Sequence, residues 1–246
     1  MNRREEYPKE LFSLIIEYAK KRSEITGADL VETIKNHTPI YYLIGNYDWE
    51  FKEDSIYWKE FLERYKQKEN LVELVYDMYK KNYQEFGKHK WFGCFRYRYV
   101  ENERGEGIVK IHFLNDRSSK EGPLASSQKE NRLKELKKMF EDVKKNYPNA
   151  KCVQGGSWLY NLESYKRLFP EEYFVNMKST RPKPQMLVIW GQFINSEWGI
   201  KKDKAEAFLS KLAKAKTEEE LEQVFELVEL FPKCEIKYFY DFYSNI

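Results

Sequence analysis

Along the first third of the chain, apolar residues recur every third or fourth position. From Pro8 to about Gly87 this spacing predicts a helical region. Pro8 suits a first helical turn, Leu11, Leu14, Ile15 and Tyr18 follow on one face, and Gly27 supplies a stop. A second helix is expected over Ala28–Asn36, ended by Thr38-Pro39 because a residue before proline is pushed out of the α region. The apolar run Ile40–Gly45 is too short for its period to separate helix from strand. Two longer helices follow, roughly Ser55–Tyr65 and Asn70–Phe86, the second with Leu71, Leu74, Val75, Met78 and Tyr79 as its inner stripe.

The period changes at Trp91. Phe95–Val100 and Gly107–Leu114 both alternate with period two around the polar stretch ENERGE, which predicts a β-hairpin. Beyond a polar loop, Ser126 or Ser127 is the expected N-cap of a helix reaching about Asn146, with Leu133, Leu136, Met139, Phe140 and Val143 facing inward. Lys151–Gln154 is expected as a strand, Gly155-Gly156 as a turn, and Asn161 as the cap of a short helix. Met186–Phe193 is continuously apolar and is expected as a strand buried on both faces. Helices are expected at about Lys202–Ala215 and Thr217–Leu230, the latter opening on a Thr217/Glu220 capping box, and EIKYFYDFY is expected to close the chain as a strand. The fold class expected is α/β (α+β mixed), with a helical region over 1–90 and a mixed sheet flanked by helices over 91–246.

Composition narrows the chemistry. Lys plus Arg (43) nearly balances Asp plus Glu (40), and the net charge of +3 gives no electrostatic case for nucleic acid or an anionic membrane. Basic and aromatic residues interleave in FRYRYV and KSTRPKP, a composition found in stacking surfaces for single strands. The same pattern is also that of an amphipathic strand with Arg96 and Arg98 turned to solvent, so nucleic acid is not the expected partner. The N-terminal apolar run is broken by Glu17, short of the ~18 residues that span a bilayer. Three distant cysteines, Cys94, Cys152 and Cys234, suggest neither a disulfide framework nor a zinc site. A cytoplasmic protein without membrane contact is therefore expected.

With only His37, His89 and His112, no histidine pair has metal-ligand spacing, and no metal is expected. Phosphate-loop, dinucleotide, zincin and nucleophile-elbow motifs are all absent from the sequence. His112 alternates with Ile111 and Phe113, which leaves it a structural histidine or a catalytic base. Asp48 and Glu50, beside Trp49 and Phe51, offer a weaker carboxylate pair with a sugar-binding composition.

A resemblance rests on His112, Gly122-Pro123-Leu124, Tyr147-Pro148, Cys152, Ser157-Trp158-Leu159 and Leu168-Phe169-Pro170. In that order, the segment from Ile111 to Phe169 resembles the C-terminal GNAT-like domain of a group of bacterial acyltransferase-domain proteins. The resemblance implies that an acyl-CoA pyrophosphate lies on the start of the helix after the hairpin, at Gly122, Leu124, Ser126 and Ser127. It also implies that the Cys152–Gln154 strand parts from the next one to admit the acyl arm, and that Tyr160 or Tyr165 protonates a leaving thiolate. The partners would be a small-molecule acyl donor and an amine acceptor. The alternative is a non-catalytic binding or structural protein on the same fold, with a protein or nucleic-acid partner. The usual Arg/Gln-x-x-Gly-x-Gly/Ala signature is not present, and Pro123 removes one backbone donor.

Overall fold

The computed structural model describes residues 7–46, 50–82, 90–103, 105–115 and 121–246. In chain order its helices and strands are α1 (Lys9–Thr26), α2 (Leu30–His37), α3 (Ile40–Leu43), α4 (Ile56–Lys66), α5 (Leu71–Asn82), β1 (Phe95–Glu101) and β2 (Gly107–Phe113). There follow α6 (Lys129–Asn146), β3 (Ala150–Gln154), α7 (Glu163–Lys166), β4 (Lys178–Ser179), α8 (Leu187–Trp190), α9 (Lys202–Lys214), α10 (Glu218–Glu222), β5 (Leu230–Phe231), β6 (Lys233–Glu235) and α11 (Ile236–Ser244). The fold is mixed α/β, as the patterning predicts.

The described residues divide into two compact units, one drawn from 1–86 and 182–226, the other from 87–181 and 227–246. A single boundary at residue 90 is thus too simple, since 182–226 belongs with the N-terminal helices. In that first unit, α1 is buried around much of its circumference, at Leu11, Phe12, Leu14, Ile15, Ile16, Tyr18 and Ala19. A helix so apolar needs neighbours on several sides, and α2, α5, α9 and α10 supply them. Aromatic rings fill the joints: Phe12 meets Tyr79 at 4.9 Å, and Tyr18 meets Trp190 at 5.9 Å and Phe225 at 5.8 Å.

Trp190 marks a correction. Met186–Phe193 is not a strand: Leu187–Trp190 is helical and Gly191–Phe193 a 3₁₀ turn. An eight-residue apolar run carries no period, so the environment decides. Here Trp190 packs on Tyr18, Phe208 and Phe225 while its indole N–H donates to the Pro184 carbonyl at 2.7 Å. The ambiguous 40–45 segment resolves likewise, as α3.

In the second unit a four-stranded sheet runs in the order β1-β2-β3-β6, with only the β2/β3 pair parallel. The hairpin register pairs Phe95 with Phe113 and Glu101 with Gly107, matching the period-two reading. Phe95, Val109, Ile111 and Val153 point to one face and enter a core with Leu136, Met139, Phe140 and Val143 of α6. A separate two-stranded ribbon joins β4 to β5.

The chain end is a second correction. EIKYFYDFY is not a strand: only Lys233–Glu235 adds to the sheet, and Ile236–Ser244 is helix α11. Tyr, Phe and Ile favour strands, but burying Ile236, Phe239 and Tyr243 against α6 and β3 demands helical spacing, and packing outweighs a propensity worth about 1 kcal/mol. The helix expected over Thr217–Leu230 stops at Glu222, although Thr217 caps it as anticipated, accepting from the Glu220 N–H at 3.2 Å.

Candidate functional site

Ser157 sets up the segment that holds the tyrosines. Its hydroxyl accepts from the Leu159 N–H at 3.1 Å and starts the 3₁₀ turn Trp158–Asn161. Asn161 does not cap α7; its amide donates to the Trp158 carbonyl at 2.7 Å and the Val228 carbonyl at 2.8 Å, tying the turn to the β5 side of the unit. Tyr160 and Tyr165 are 1% and 2% exposed, so both rings are core residues. The Tyr160 and Tyr173 hydroxyls lie 3.3 Å apart, and the Tyr160 and Tyr165 rings 5.1 Å apart. Burial, above all, pushes both phenols well above the usual tyrosine range. Gly155 follows from this packing, because a Cβ there would lie 2.2 Å from the Tyr160 hydroxyl.

His112 does not join them. It lies opposite Arg96 in the hairpin, on the sheet face turned away from Val109 and Ile111, while Tyr165 packs on Phe113 at 5.4 Å on the core side. The sheet itself separates the expected base from the expected acids.

At the start of α6, the predicted caps behave differently. Ser126–Gln128 is a 3₁₀ turn, and Gln128 precedes α6 without a side-chain cap. The Ser127 hydroxyl donates to Glu121 at 2.5 Å. Gly122 adopts φ +91° at the entry to this loop. Arg167, which sequence reasoning missed, donates to Ser126 Oγ at 3.3 Å, to the Leu124 carbonyl at 3.0 Å and to the Ala125 carbonyl at 3.1 Å. The guanidinium favours an anion here, while the Glu121 carboxylate opposes one.

The strand that would part for an acyl arm is closed along its length. Beyond Cys152–Glu235, Val153–Cys234 and Gln154–Lys233, the pairing continues as Gly155 N–H to the Pro232 carbonyl at 3.0 Å. It goes on with reciprocal bonds of 3.1 Å between Ser157 and Leu230. On the side away from β2, the neighbour of β3 is therefore a strand some 80 residues downstream in sequence, not the segment that begins at Met186.

Other candidate chemistry is absorbed by packing. Asp48, Trp49 and His89 lie outside the described residues. Phe51 packs on Tyr41 at 5.1 Å and Trp58 at 5.8 Å, and Glu50 is exposed. In FRYRYV the aromatics turn to the helix side: the Tyr97 hydroxyl donates to Asp142 at 2.8 Å and the Tyr99 ring stacks on Tyr147 at 4.2 Å. Arg96 and Arg98 occupy the other face, so this interleaving is strand alternation. The cysteines are free thiols; burial raises Cys152 and pushes Cys234 up to about 12. Among the described residues no cluster of His, Cys, Asp or Glu is arranged to hold a metal ion, and no helix is long and apolar enough to cross a membrane.

What the fold assembles instead is a row across all four strands. Arg98 stands opposite Lys110, Lys110 opposite Gln154, and Gln154 opposite Lys233. Beside it run Val100, Ile108 and Cys152, all half-buried. Four separate segments contribute, which is why no local motif announces it. Comparison with protein-family models, with curated proteins and with solved structures gives no match for this chain.

Proposed function

We propose that this chain is a non-catalytic binding protein built on a mixed α/β scaffold, acting in the cytoplasm through its sheet. The observation that carries the reading is the continuous pairing of residues 152–157 with 230–235, which occupies the gap an acyl arm would need. Tyr160 and Tyr165 support it further, since both spend their side chains on the core. A phenol so buried serves packing at a worth of several kcal/mol, and exposing it to a cofactor thiolate would forfeit that packing.

The competing reading is a GNAT-like acyltransferase that moves an acyl group from acyl-CoA to an amine. Arg167 favours it, because its guanidinium reaches Ser126 at the start of the helical segment where a pyrophosphate would lie. Isothermal titration with acetyl-CoA and a long-chain acyl-CoA separates the two. The binding-protein reading expects no saturable heat up to millimolar cofactor. Micromolar binding that weakens in Arg167→Ala, with the fold retained, would replace it with the acyltransferase reading.

A further inference from the structure

We infer that the sheet face bearing Arg98, Lys110, Gln154 and Lys233 is a docking surface for an acidic amphipathic helix of a partner protein. The inference deepens the binding-protein reading and rests on it. Its first support is the row itself. Opposed residues on neighbouring strands point to the same face, so the register fixes these side chains side by side. With strands ~4.8 Å apart, the row runs about 14 Å from Arg98 to Lys233. Arg98 and Lys233, at its two ends, are exposed, while Lys110 and Gln154 are half-buried.

Directly opposed like charges destabilise a sheet, and Arg98 faces Lys110 across the hairpin. Among the described residues, no ion pair involves Arg98, Lys110 or Lys233. The one carboxylate in the adjoining row, Glu235, is held by Lys237 at 2.9 Å. Glu106 borders the face near Cys152, whose thiol is raised by burial, lowered by Lys233 and raised by Glu106, in that order of size. Three cations and an amide thus present donors along one line, with no carboxylate of the described residues paired to them, and an anionic partner removes the repulsion.

The second row decides between partners. Val100, Ile108 and Cys152 lie two residues along their strands from Arg98, Lys110 and Gln154, a separation of ~7 Å. A helix ~10 Å across laid over both rows sets an acidic edge on the cations and an apolar stripe on Ile108. Its turns rise ~5.4 Å, close to the strand spacing, so side chains at i, i+4, i+7 and i+11 meet Arg98, Lys110, Gln154 and Lys233 in turn. Covering a sheet face with a helix is also the usual way that a layer is completed. A single-stranded nucleic acid fits less well. Its bases need a run of stacking rings, and Tyr97 and Tyr99 point to the opposite face, onto Asp142 and Tyr147, while Trp91, on the side of Arg96, already packs on that guanidinium at 5.5 Å.

The test uses the full chain and a fluorescein-labelled synthetic helix of about 18 residues, long enough to be helical in water. It carries glutamates at i, i+4, i+7 and i+11 beside a leucine stripe. Anisotropy titration is expected to give saturable binding that weakens as salt rises. In the double variant Arg98→Glu/Lys233→Glu, both at exposed positions, binding is expected to fall at least tenfold with an unchanged circular dichroism spectrum. A control helix with lysines in place of the glutamates is expected to bind that variant better than the unaltered protein. Absence of binding to the unaltered protein overturns the inference, as does binding that the variant leaves unchanged. Oligothymidylate binding more tightly than the helix, and lost in the same variant, overturns it in favour of a nucleic-acid partner. Acyl-CoA titration is read separately, so failure of the docking surface and failure of the binding-protein reading remain distinguishable.

Discussion

Glu135 ties α6 to the entry of β1 with both carboxylate oxygens. Oε1 accepts from the Arg132 guanidinium at 2.7 Å and Oε2 from the Cys94 N–H at 2.9 Å, while Arg132 also contacts the Cys94 sulfur. Arg132 is buried, and a buried cation stripped of its partner is costly. Glu135→Ala is therefore expected to destabilise by about 3–5 kcal/mol in urea unfolding, and Glu135→Gln by less, since the amide oxygen still accepts. Gly93 belongs to the same joint: it adopts φ +62°, and a Cβ would fall 1.7 Å from the Glu135 carboxyl carbon, so Gly93→Ala should show a comparable loss. A pH dependence also arises from single residues. Tyr160, Tyr165, Tyr173 and Tyr243 all have phenols raised by burial above the ordinary value of 10.0. The folded state keeps protons that the unfolded chain releases, so this contribution is complete below pH 10 and is lost as pH rises beyond it. Each such tyrosine steepens the loss by about 1.4 kcal/mol per pH unit. Urea midpoints from pH 8 to 11 should fall along with the appearance of tyrosinate absorbance; a flat profile would contradict the core placement.

Among the elements, α11 shows how local preference yields to packing. Its Phe239 is fully buried, 4.7 Å from Phe140 and 4.8 Å from Tyr173. Phe239→Ala is expected to cost about 3–5 kcal/mol, while a change at exposed Lys237 should stay within ~0.5 kcal/mol. If the segment were a strand, as its residue types suggest, Phe239 and Lys237 would share a face and the two costs would not separate so widely. The α1 and α6 stripes, by contrast, were readable because long amphipathic segments repeat their period often enough to exclude the alternative. Short segments did not: the 186–193 run and the three-residue β6 lack that repetition.

For the molecule as a whole, the chain passes between its two units more than once. Residues 182–226 return to the N-terminal helices, where Trp190, Phe208 and Phe225 cluster with Tyr18. A fragment ending at residue 90 would lose this half of its core and is expected to lack a cooperative thermal transition. A single polypeptide that fuses 1–90 to 182–226 should regain one, and cooperative melting of 1–90 alone would show that the N-terminal helices form a core without the returning segment.

The amino-acid sequence by itself determined the helix-rich start, the hairpin, the α6 stripe and the mixed α/β class, because each is written in local periodicity. It also located the start of the helical segment at Ser126–Ser127, but not what it faces, and it placed a turn at Gly155-Gly156 where the chain instead pairs on through Ser157. Only the tertiary structure decided that His112 and Tyr165 lie on opposite sides of the sheet, that Arg167 clamps the loop before α6, and that β6 closes onto β3. Those are relations between segments distant in sequence. They are chosen by the burial of one face against another, a quantity to which the whole chain contributes and which no single stretch of letters contains.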